Sequence, residues 1–292
     1  MDYTIALKTR SLLGEGIWWD DRKEALIWVD VLKNEIHCLK DGEDTIIKTF
    51  EDSVGFCAPC EDGRIVAGCG RQLILLNPDT GATKVLTSVD EDQANNRFND
   101  GKAIPGGRVL AGTMNRALDY EDVEGANTGR LYLMESGKKP VELGSEMSVP
   151  NGIAATADHK TVYHTDTYTQ TIFAYDYDEV AGELTNKRPV VTIPVEEGNP
   201  DGFNIAADGT LFICHWGGHA VHRYDLATGK KIASYEVPAV HATCCCFSGK
   251  DLDELYVTTS SIDAPEEEYP LAGSIFMFKP GVKGMKVDRY KV

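Results

Sequence analysis

A single pattern of apolar and polar positions recurs along the whole chain. Each copy starts with a glycine or a small residue, followed by a short apolar run, a polar turn and a second apolar run. Short apolar runs bounded by turn residues are typical of buried β-strands. An interval of about 40 to 50 residues between copies is typical of one four-stranded propeller blade. The six copies begin at Gly16, Gly55, Gly101, Gly152, Gly202 and Ala242.

The remaining segments supply the other strands of each blade. Examples are GRLYLME from Gly129 and TIFAYDYD from Thr171. No helical period separates the copies, which argues against a TIM barrel. The pattern predicts an all-β, six-bladed β-propeller of four-stranded antiparallel blades around a central channel, with residues 1–292 as one domain. We expect the stretch from Tyr3 to Leu7 to complete the last blade beside residues 273–278, which would remove two open sheet edges.

Charge and composition narrow the function classes. Asp and Glu number 46 against 29 Lys and Arg, a net charge of −17. Such a surface repels phosphate backbones and anionic lipids, so we expect no nucleic-acid or membrane partner. No apolar run is long enough to span a bilayer, and the first residues lack the features of a signal peptide. The expected location is cytoplasmic.

The eight cysteines lie mainly in apolar, strand-like stretches, which predicts reduced thiols in the core. Cys57 and Cys60 have the spacing of a zinc or redox pair, but no second pair with matching spacing follows. A metal or redox role for this pair is therefore the weaker interpretation.

The residue before each repeat start carries the candidate chemistry. Because the first strand of a propeller blade is the innermost, side chains at this position converge on the channel mouth. Asp62 and Asp208 come about one strand later, so we expect them in turns at the opposite end. The residues before the six starts are Glu15, Val54, Asp100, Asn151, Asp201 and His241.

Two converging carboxylates and an amide would repel or stay unsatisfied without a cation. Glu15, Asn151 and Asp201 offer only hard oxygen donors, which favours Ca²⁺, Mg²⁺ or Mn²⁺. Zinc and iron stay open. His241 shares the inward position and is predicted to contact the substrate.

The chain resembles the gluconolactonase and senescence-marker protein (regucalcin) family of sugar lactonases over essentially its whole length. The matching stretches are LGEGIWWDDRKEALIWVD, RFNDGKAIPGGRVLAGTM, PNGIAATADHKTVYHTD, NPDGFNIAADGTLFICHWGG and GSIFMFKPGVKG. The resemblance implies that Glu15, Asn151 and Asp201 bind one divalent metal ion and that Asp201 is the candidate general base. It also implies that Arg97 and Asn99 contact the sugar.

The expected reaction is metal-dependent hydrolysis of sugar lactones such as glucono-, galactono-, xylono- or arabinonolactone, by a monomer or homodimer. The alternatives are hydrolysis of other lactones or phosphoesters, and a non-enzymatic calcium-binding regulator. The chain departs from the family at Asn115–Ala117, where acidic side chains are common, so sugar preference does not transfer. The acidic segment 115–127 is either a lid or a solvated insertion.

Overall fold

The fold is a six-bladed β-propeller, as the repeat predicts. The computed structural model describes residues 2–119 and 126–292. In this part of the chain, 24 strands form six four-stranded antiparallel sheets. No helix within these two ranges is long and apolar enough to span a membrane.

Strand β1 (Thr4–Leu7) belongs to the last blade, and the others follow in chain order. Blades one to three contain β2 (Gly14–Asp20), β3 (Ala25–Asp30), β4 (Glu35–Lys40), β5 (Glu43–Thr49), β6 (Val54–Pro59), β7 (Ile65–Cys69), β8 (Gln72–Leu76), β9 (Thr83–Ser88), β10 (Asn96–Ile104), β11 (Arg108–Asn115), β12 (Gly129–Met134) and β13 (Val141–Met147). Blades four to six contain β14 (Pro150–Ala155), β15 (Thr161–Asp166), β16 (Thr171–Asp178), β17 (Glu183–Thr192), β18 (Asn199–Ile205), β19 (Leu211–Trp216), β20 (Ala220–Asp225), β21 (Lys230–Glu236), β22 (His241–Ser248), β23 (Glu254–Ser260) and β24 (Ile275–Phe278). Short 3₁₀ turns cover Val31–Lys33, Arg116–Asp119, Thr167–Thr169 and Val195–Glu197.

Burial decreases from the channel outwards. All six residues of the innermost strand β6 are buried, whereas the outermost strand β9 of the same blade is largely exposed. Inner strands therefore read as continuous apolar runs, because both of their faces are covered. Six clusters of buried side chains fill the contacts between neighbouring blades.

The two ends of the chain tie the ring together. Strand β1 pairs antiparallel with β24, with Thr4 opposite Met277, so the N-terminal strand completes blade six as predicted. Residues after β24 cross the end of the channel opposite the candidate site. There Lys283 O accepts from Ala207 N at 2.8 Å, and Tyr290 N donates to Pro59 O at 2.8 Å. The C-terminal segment thus links blades two and five across the channel.

Candidate functional site

A β-bulge interrupts the innermost strand of every blade near its start. The register shift falls at Glu15/Trp18, Val54/Phe56, Phe98/Gly101, Asn151/Ile153, Pro200/Phe203 and Ala242/Cys245. A bulge bends its strand and re-aims the side chains next to it. In this propeller the six bulges lie at one end of the channel and turn polar side chains towards it.

In four blades the residue before a glycine bonds to that glycine's own N–H. The N–H groups of Gly16, Gly101, Gly152 and Gly202 donate to side-chain oxygens of the preceding residues, Glu15, Asp100, Asn151 and Asp201, at 2.9, 2.7, 3.1 and 3.0 Å. The bond satisfies a backbone donor that the bulge frees and fixes the direction of each side chain. Gly152 has φ +42°, and a Cβ there would lie 2.1 Å from Phe203 Cδ1, so only glycine fits.

The structure brings Glu15, Asn151 and Asp201 together at the channel mouth. All three are buried. Asn151 Nδ2 donates to Asp201 Oδ1 at 2.6 Å and to Thr167 Oγ1 at 3.2 Å. Since Asn151 donates with its nitrogen, its Oδ1, which already accepts from Gly152 N, is the atom that could also bind a cation. These three residues, chosen from repeat position and family resemblance, are therefore neighbours from three different blades.

Asp100 adds a third buried carboxylate beside this group. It borders the next part of the channel, together with Lys102. Burial, followed by the negative charges of Asp201 and Asp100, raises the pKa of Glu15 well above its usual range. The pKa of Asp201 is likewise raised well above its usual range, first by burial and then by the charge of Asp100. Burial also raises the pKa of Asp100.

This donor set fits a divalent cation. Two positive groups nearby offset only part of the negative charge: Lys102, whose Nζ donates to Phe203 O at 2.9 Å, and Arg97, whose guanidinium pairs with Asp119. The three carboxylates thus concentrate negative charge in a buried space, which a cation would offset. Carboxylate and amide oxygens are the ligands that hard cations prefer.

Two aspartates at the ends of second strands support the site through the backbone. Asp30 accepts from Leu12 N at 3.0 Å and from Leu13 N at 3.1 Å, just before Glu15. Asp166 accepts from Ser148 N and Val149 N in the same way, just before Asn151. Each aspartate therefore fixes the chain that enters an innermost strand.

Arg97 is buried and all of its nitrogens have partners. Nε donates to Asp119 Oδ1 at 3.0 Å, and Nη2 also pairs with Asp119. Nη1 donates to Phe98 O at 2.8 Å and to Asn99 Oδ1 at 3.1 Å. Asn99 Nδ2 in turn donates to Pro150 O at 3.1 Å. Arg97 thus holds an acid and an amide at the cavity wall.

The cavity at the channel mouth has a polar floor and an apolar rim. The polar side chains that line it are Glu15, Arg97, Asn99, Asp119, Asn151, Thr167, Asn199 and Asp201. The apolar ones are Leu13, Met114, Leu118, Val149, Trp216 and Ile262, and Tyr168 adds an aromatic ring with a hydroxyl group. Five of the six blades or their connections contribute to the rim, and Trp216 supplies its indole. Trp18 does not line this cavity, and its Nε1 is hydrogen-bonded to Cys57 Sγ at 3.3 Å.

His241 does not line this cavity, which corrects its assumed inward position. By register, His241 opposite Ser260 corresponds to Asn199 opposite Trp216, and Thr243 corresponds to Asp201. The assigned position was therefore two residues early. His241 stacks on Trp216 at a centroid distance of 3.8 Å, and its Nδ1 accepts from Gly217 N at 3.0 Å. Burial lowers the pKa of His241 to about 4, so the ring is neutral at pH 7.

Sequence reasoning missed the roles of Asp100 and Asp119. Asp100 was at an inward position but was not assigned as part of the charged group. Asp119 lies in the 3₁₀ turn after β11. Blades one and four have a 3₁₀ turn at the same place, but neither turn contains an acid, so the repeat gave no signal for Asp119. Asp119 lies two residues after the segment Asn115–Ala117, in which the sequence departs from the family pattern. The proposed lid, segment 115–127, includes residues 120–125, which lie outside the described residues.

The turn and thiol predictions agree with the structure. Asp62 and Asp208 accept from Arg64 N and Thr210 N in tight turns away from the site. All eight cysteines are free, and Cys57 and Cys60 are buried.

The fold and the site define a six-bladed propeller with a carboxylate-rich, cation-compatible site at one channel mouth. Residues 13–261 match the family model of the SMP-30/Gluconolactonase/LRE-like region. Regucalcin of Xenopus laevis is 34% identical over 280 residues, which cover 94% of this chain and 93% of the relative. The chain belongs to the SMP-30/gluconolactonase family.

Solved structures agree with this assignment over the full chain. A calcium-binding protein, regucalcin, from Agrobacterium tumefaciens superposes with a TM-score of 0.92 at 28% identity, covering 100% of this chain and 98% of the other. A luciferin-regenerating enzyme gives a TM-score of 0.90 at 27% identity and covers 100% of both chains. The names of these two structures thus describe different properties, calcium binding in the first and an enzyme activity in the second.

Proposed function

We propose that this protein is a metal-dependent lactonase that hydrolyses sugar lactones to aldonic acids. The observation that carries the proposal is the buried contact between Asn151 and Asp201 beside Glu15, within a family that includes gluconolactonases. The arrangement offers oxygen ligands and a potential base in one place.

Glu15, Asn151 and Asp201 would hold one divalent ion, Ca²⁺, Mg²⁺, Mn²⁺ or Zn²⁺. The calcium-binding relative from Agrobacterium makes Ca²⁺ the first ion to test. When bound, the ion polarises the lactone carbonyl and stabilises the negative charge that develops on it.

Asp201 accepts the proton of the attacking water in this proposal. The water oxygen forms a bond to the carbonyl carbon, the ring C–O bond breaks, and the proton returns to the departing ring oxygen, giving a hydroxy acid. The raised pKa of Asp201 belongs to the metal-free site, and a bound cation would keep this carboxylate ionised and able to accept a proton. Asn99, which keeps one amide hydrogen beyond its bond to Pro150, and Asp119 would bind sugar hydroxyls. Arg97 keeps Asn99 and Asp119 in place through its hydrogen bonds to them.

The test is acid release from a panel of aldonolactones by chelator-stripped protein, with single metals added back. We expect turnover that requires metal and that falls by about a thousandfold or more in Asp201→Asn, with a large loss in Glu15→Gln. Asp62→Asn, a turn aspartate away from the site, is the matched control and should keep full activity. Spontaneous rates for every lactone with every metal would overturn the proposal, and metal binding without turnover would favour a calcium-binding regulator.

The apolar rim favours a second candidate, hydrolysis of a lactone or ester that carries an apolar substituent. The polar floor is surrounded by the apolar side chains of Leu13, Val149, Trp216 and Ile262. An alkyl or aromatic group that packs against these side chains would be removed from water. The same carboxylates would act on the carbonyl. A panel that includes alkyl-substituted lactones separates the two candidates by their relative kcat/KM.

A further inference from the structure

A second group of potential metal ligands lies in blade five, outside the channel. Glu197 belongs to the 3₁₀ turn Val195–Glu197, His215 to β19 and His222 to β20. One ligand atom from each lies within 4.8 Å of the other two. The two imidazole rings are perpendicular, with centroids 4.3 Å apart. The fold has therefore placed two nitrogens and one carboxylate around one point.

Both imidazoles already have the outer partners that metal-bound histidines usually have. His215 Nδ1 lies 2.9 Å from the carbonyl oxygen of Glu197, and His222 Nδ1 lies 2.9 Å from Ser234 Oγ. When Nδ1 donates to an oxygen, the ring orientation is fixed and Nε2 keeps its lone pair for a ligand bond. His215 Nε2 has only a long contact, 3.4 Å, with the Tyr224 hydroxyl.

A lysine ammonium already neutralises the carboxylate of this cluster. Lys231 Nζ lies 2.6 Å from Glu197 Oε2, and both side chains are about one-third exposed. A metal ion would compete with Lys231, which can move into solvent on its flexible stem.

We propose that Glu197, His215 and His222 form a second divalent-metal site, selective for zinc-like ions and separate from the oxygen-rich site in the channel. Two nitrogens and one carboxylate, with water as fourth ligand, are a common zinc set. Tetrahedral zinc with bonds of about 2.1 Å needs ligand atoms about 3.4 Å apart, so the cluster must contract slightly. Glu197, on a partly exposed turn, supplies that movement.

Bound zinc would hold the turn at Glu197 against β19 and β20. Asn199, two residues later, lines the cavity, and Trp216 follows His215 directly. The site would therefore stabilise one wall of the cavity without touching a substrate.

The test is equilibrium dialysis of the full-length chain against Zn²⁺ alone. The background carries Glu15→Gln and Asp201→Asn, which removes the channel ligands. We expect one zinc per chain, and an affinity weakened by about a hundredfold or more in His222→Ala and Glu197→Gln. Glu197→Gln is on a partly exposed turn, so it keeps the fold if His222→Ala does not. Lys231→Ala should tighten zinc about three- to tenfold, because it removes a competing positive charge.

His159→Ala is the matched control. His159 Nδ1 lies 2.8 Å from Glu179 Oε2, a histidine–glutamate pair at the surface for which the described residues supply no third ligand. This variant should keep one zinc at unchanged affinity. Zinc stoichiometry below 0.2 in the background protein, or equal affinity in Glu197→Gln and His159→Ala, would overturn the proposal.

Discussion

Asn151 donates its side-chain amide to Asp201 across the contact between blades four and five, at 2.6 Å. The two residues come from adjacent innermost strands, and each also accepts from the glycine that follows it. An amide at this position therefore gives Asp201 a neutral hydrogen-bond donor in place of a fourth carboxylate.

Asn151→Asp should destabilise the metal-free protein by about 2 kcal/mol, because it removes the donor and places a carboxylate against Asp201. Added metal should recover most of this loss. Urea unfolding in chelator and in excess Ca²⁺ measures both effects. Asn186→Asp is the matched control, since Asn186 also donates to an aspartate, Asp176, but at the surface. Equal losses in the two variants would contradict the prediction.

Arg97→Met should cost about 3 kcal/mol of folding free energy, because Asp119 would be left as a buried, unpaired carboxylate. The double variant Arg97→Met/Asp119→Leu should recover most of the loss, since it removes both charges. Arg64→Met, which breaks an exposed pair with Asp62, should cost less than about 1 kcal/mol. Urea unfolding of the three variants provides the test, and no recovery in the double variant would argue against a paired role.

Trp216→Ala should separate the two candidate substrates. If an apolar substituent rests on the rim, kcat/KM for an alkyl-substituted lactone should fall about tenfold, with a smaller change for gluconolactone. His241→Ala should have a weaker effect of the same sign, because it removes the ring that stacks behind Trp216. Trp19→Ala, a tryptophan that does not line the cavity, is the control. A uniform loss for all lactones would instead indicate damage to the polar floor.

Asp288→Asn should stabilise the protein at high pH. Burial raises the pKa of Asp288 to about 6, so the folded protein holds this proton more tightly than the unfolded chain does. Ionisation therefore costs stability as pH rises from about 4, the usual range of aspartate, and the cost is complete above pH 6 to 7. The expected gain is about 1 kcal/mol at pH 8, since solvent partly reaches the side chain, and smaller at pH 5.

Asp62→Asn should show the opposite sign. The hydrogen bond from Arg64 lowers the pKa of Asp62, so the ionised carboxylate stabilises the fold above its usual pKa and this contribution fades as pH falls. Thermal unfolding between pH 5 and 8 compares the two variants. A gain for Asp288→Asn that is constant over this range would show that its carboxyl is not the titrating group.

The sequence-based prediction of the site rested on glycine spacing. The structure brings together Glu15, Asn151 and Asp201, which precede Gly16, Gly152 and Gly202, whereas their role as metal ligands stays a prediction. Blade six has Cys244 where blade five has Gly202, so alignment on the small residue Ala242 shifted the assignment to His241. The sequence alone does not reveal this two-residue shift in blade six. A bulge inserts residues into a strand without a recognisable change in the strand's amino-acid composition.

Contacts made by non-repeating segments could not be predicted. The partner of Arg97 comes from a 3₁₀ turn after β11, and the sequence offers many acids that would serve equally well. Likewise, His215 and His222 meet because residues on neighbouring strands of one sheet lie side by side, while Glu197 arrives from a connecting turn. Pairing within a blade follows from the repeat, but the path of a connection does not.

The pairing of Thr4 with Met277 sets the order in which the molecule can be completed. During synthesis the first strand leaves the ribosome early and stays unpaired until β24 has been made. The growing chain is therefore an open arc with unpaired sheet edges. Closure over such a sequence separation is slow. Blade six separates blade five from blade one, and hence Asp201 from Glu15, until the arc closes. If the channel site binds a metal ion, as we propose, each new chain would therefore bind it only late in folding.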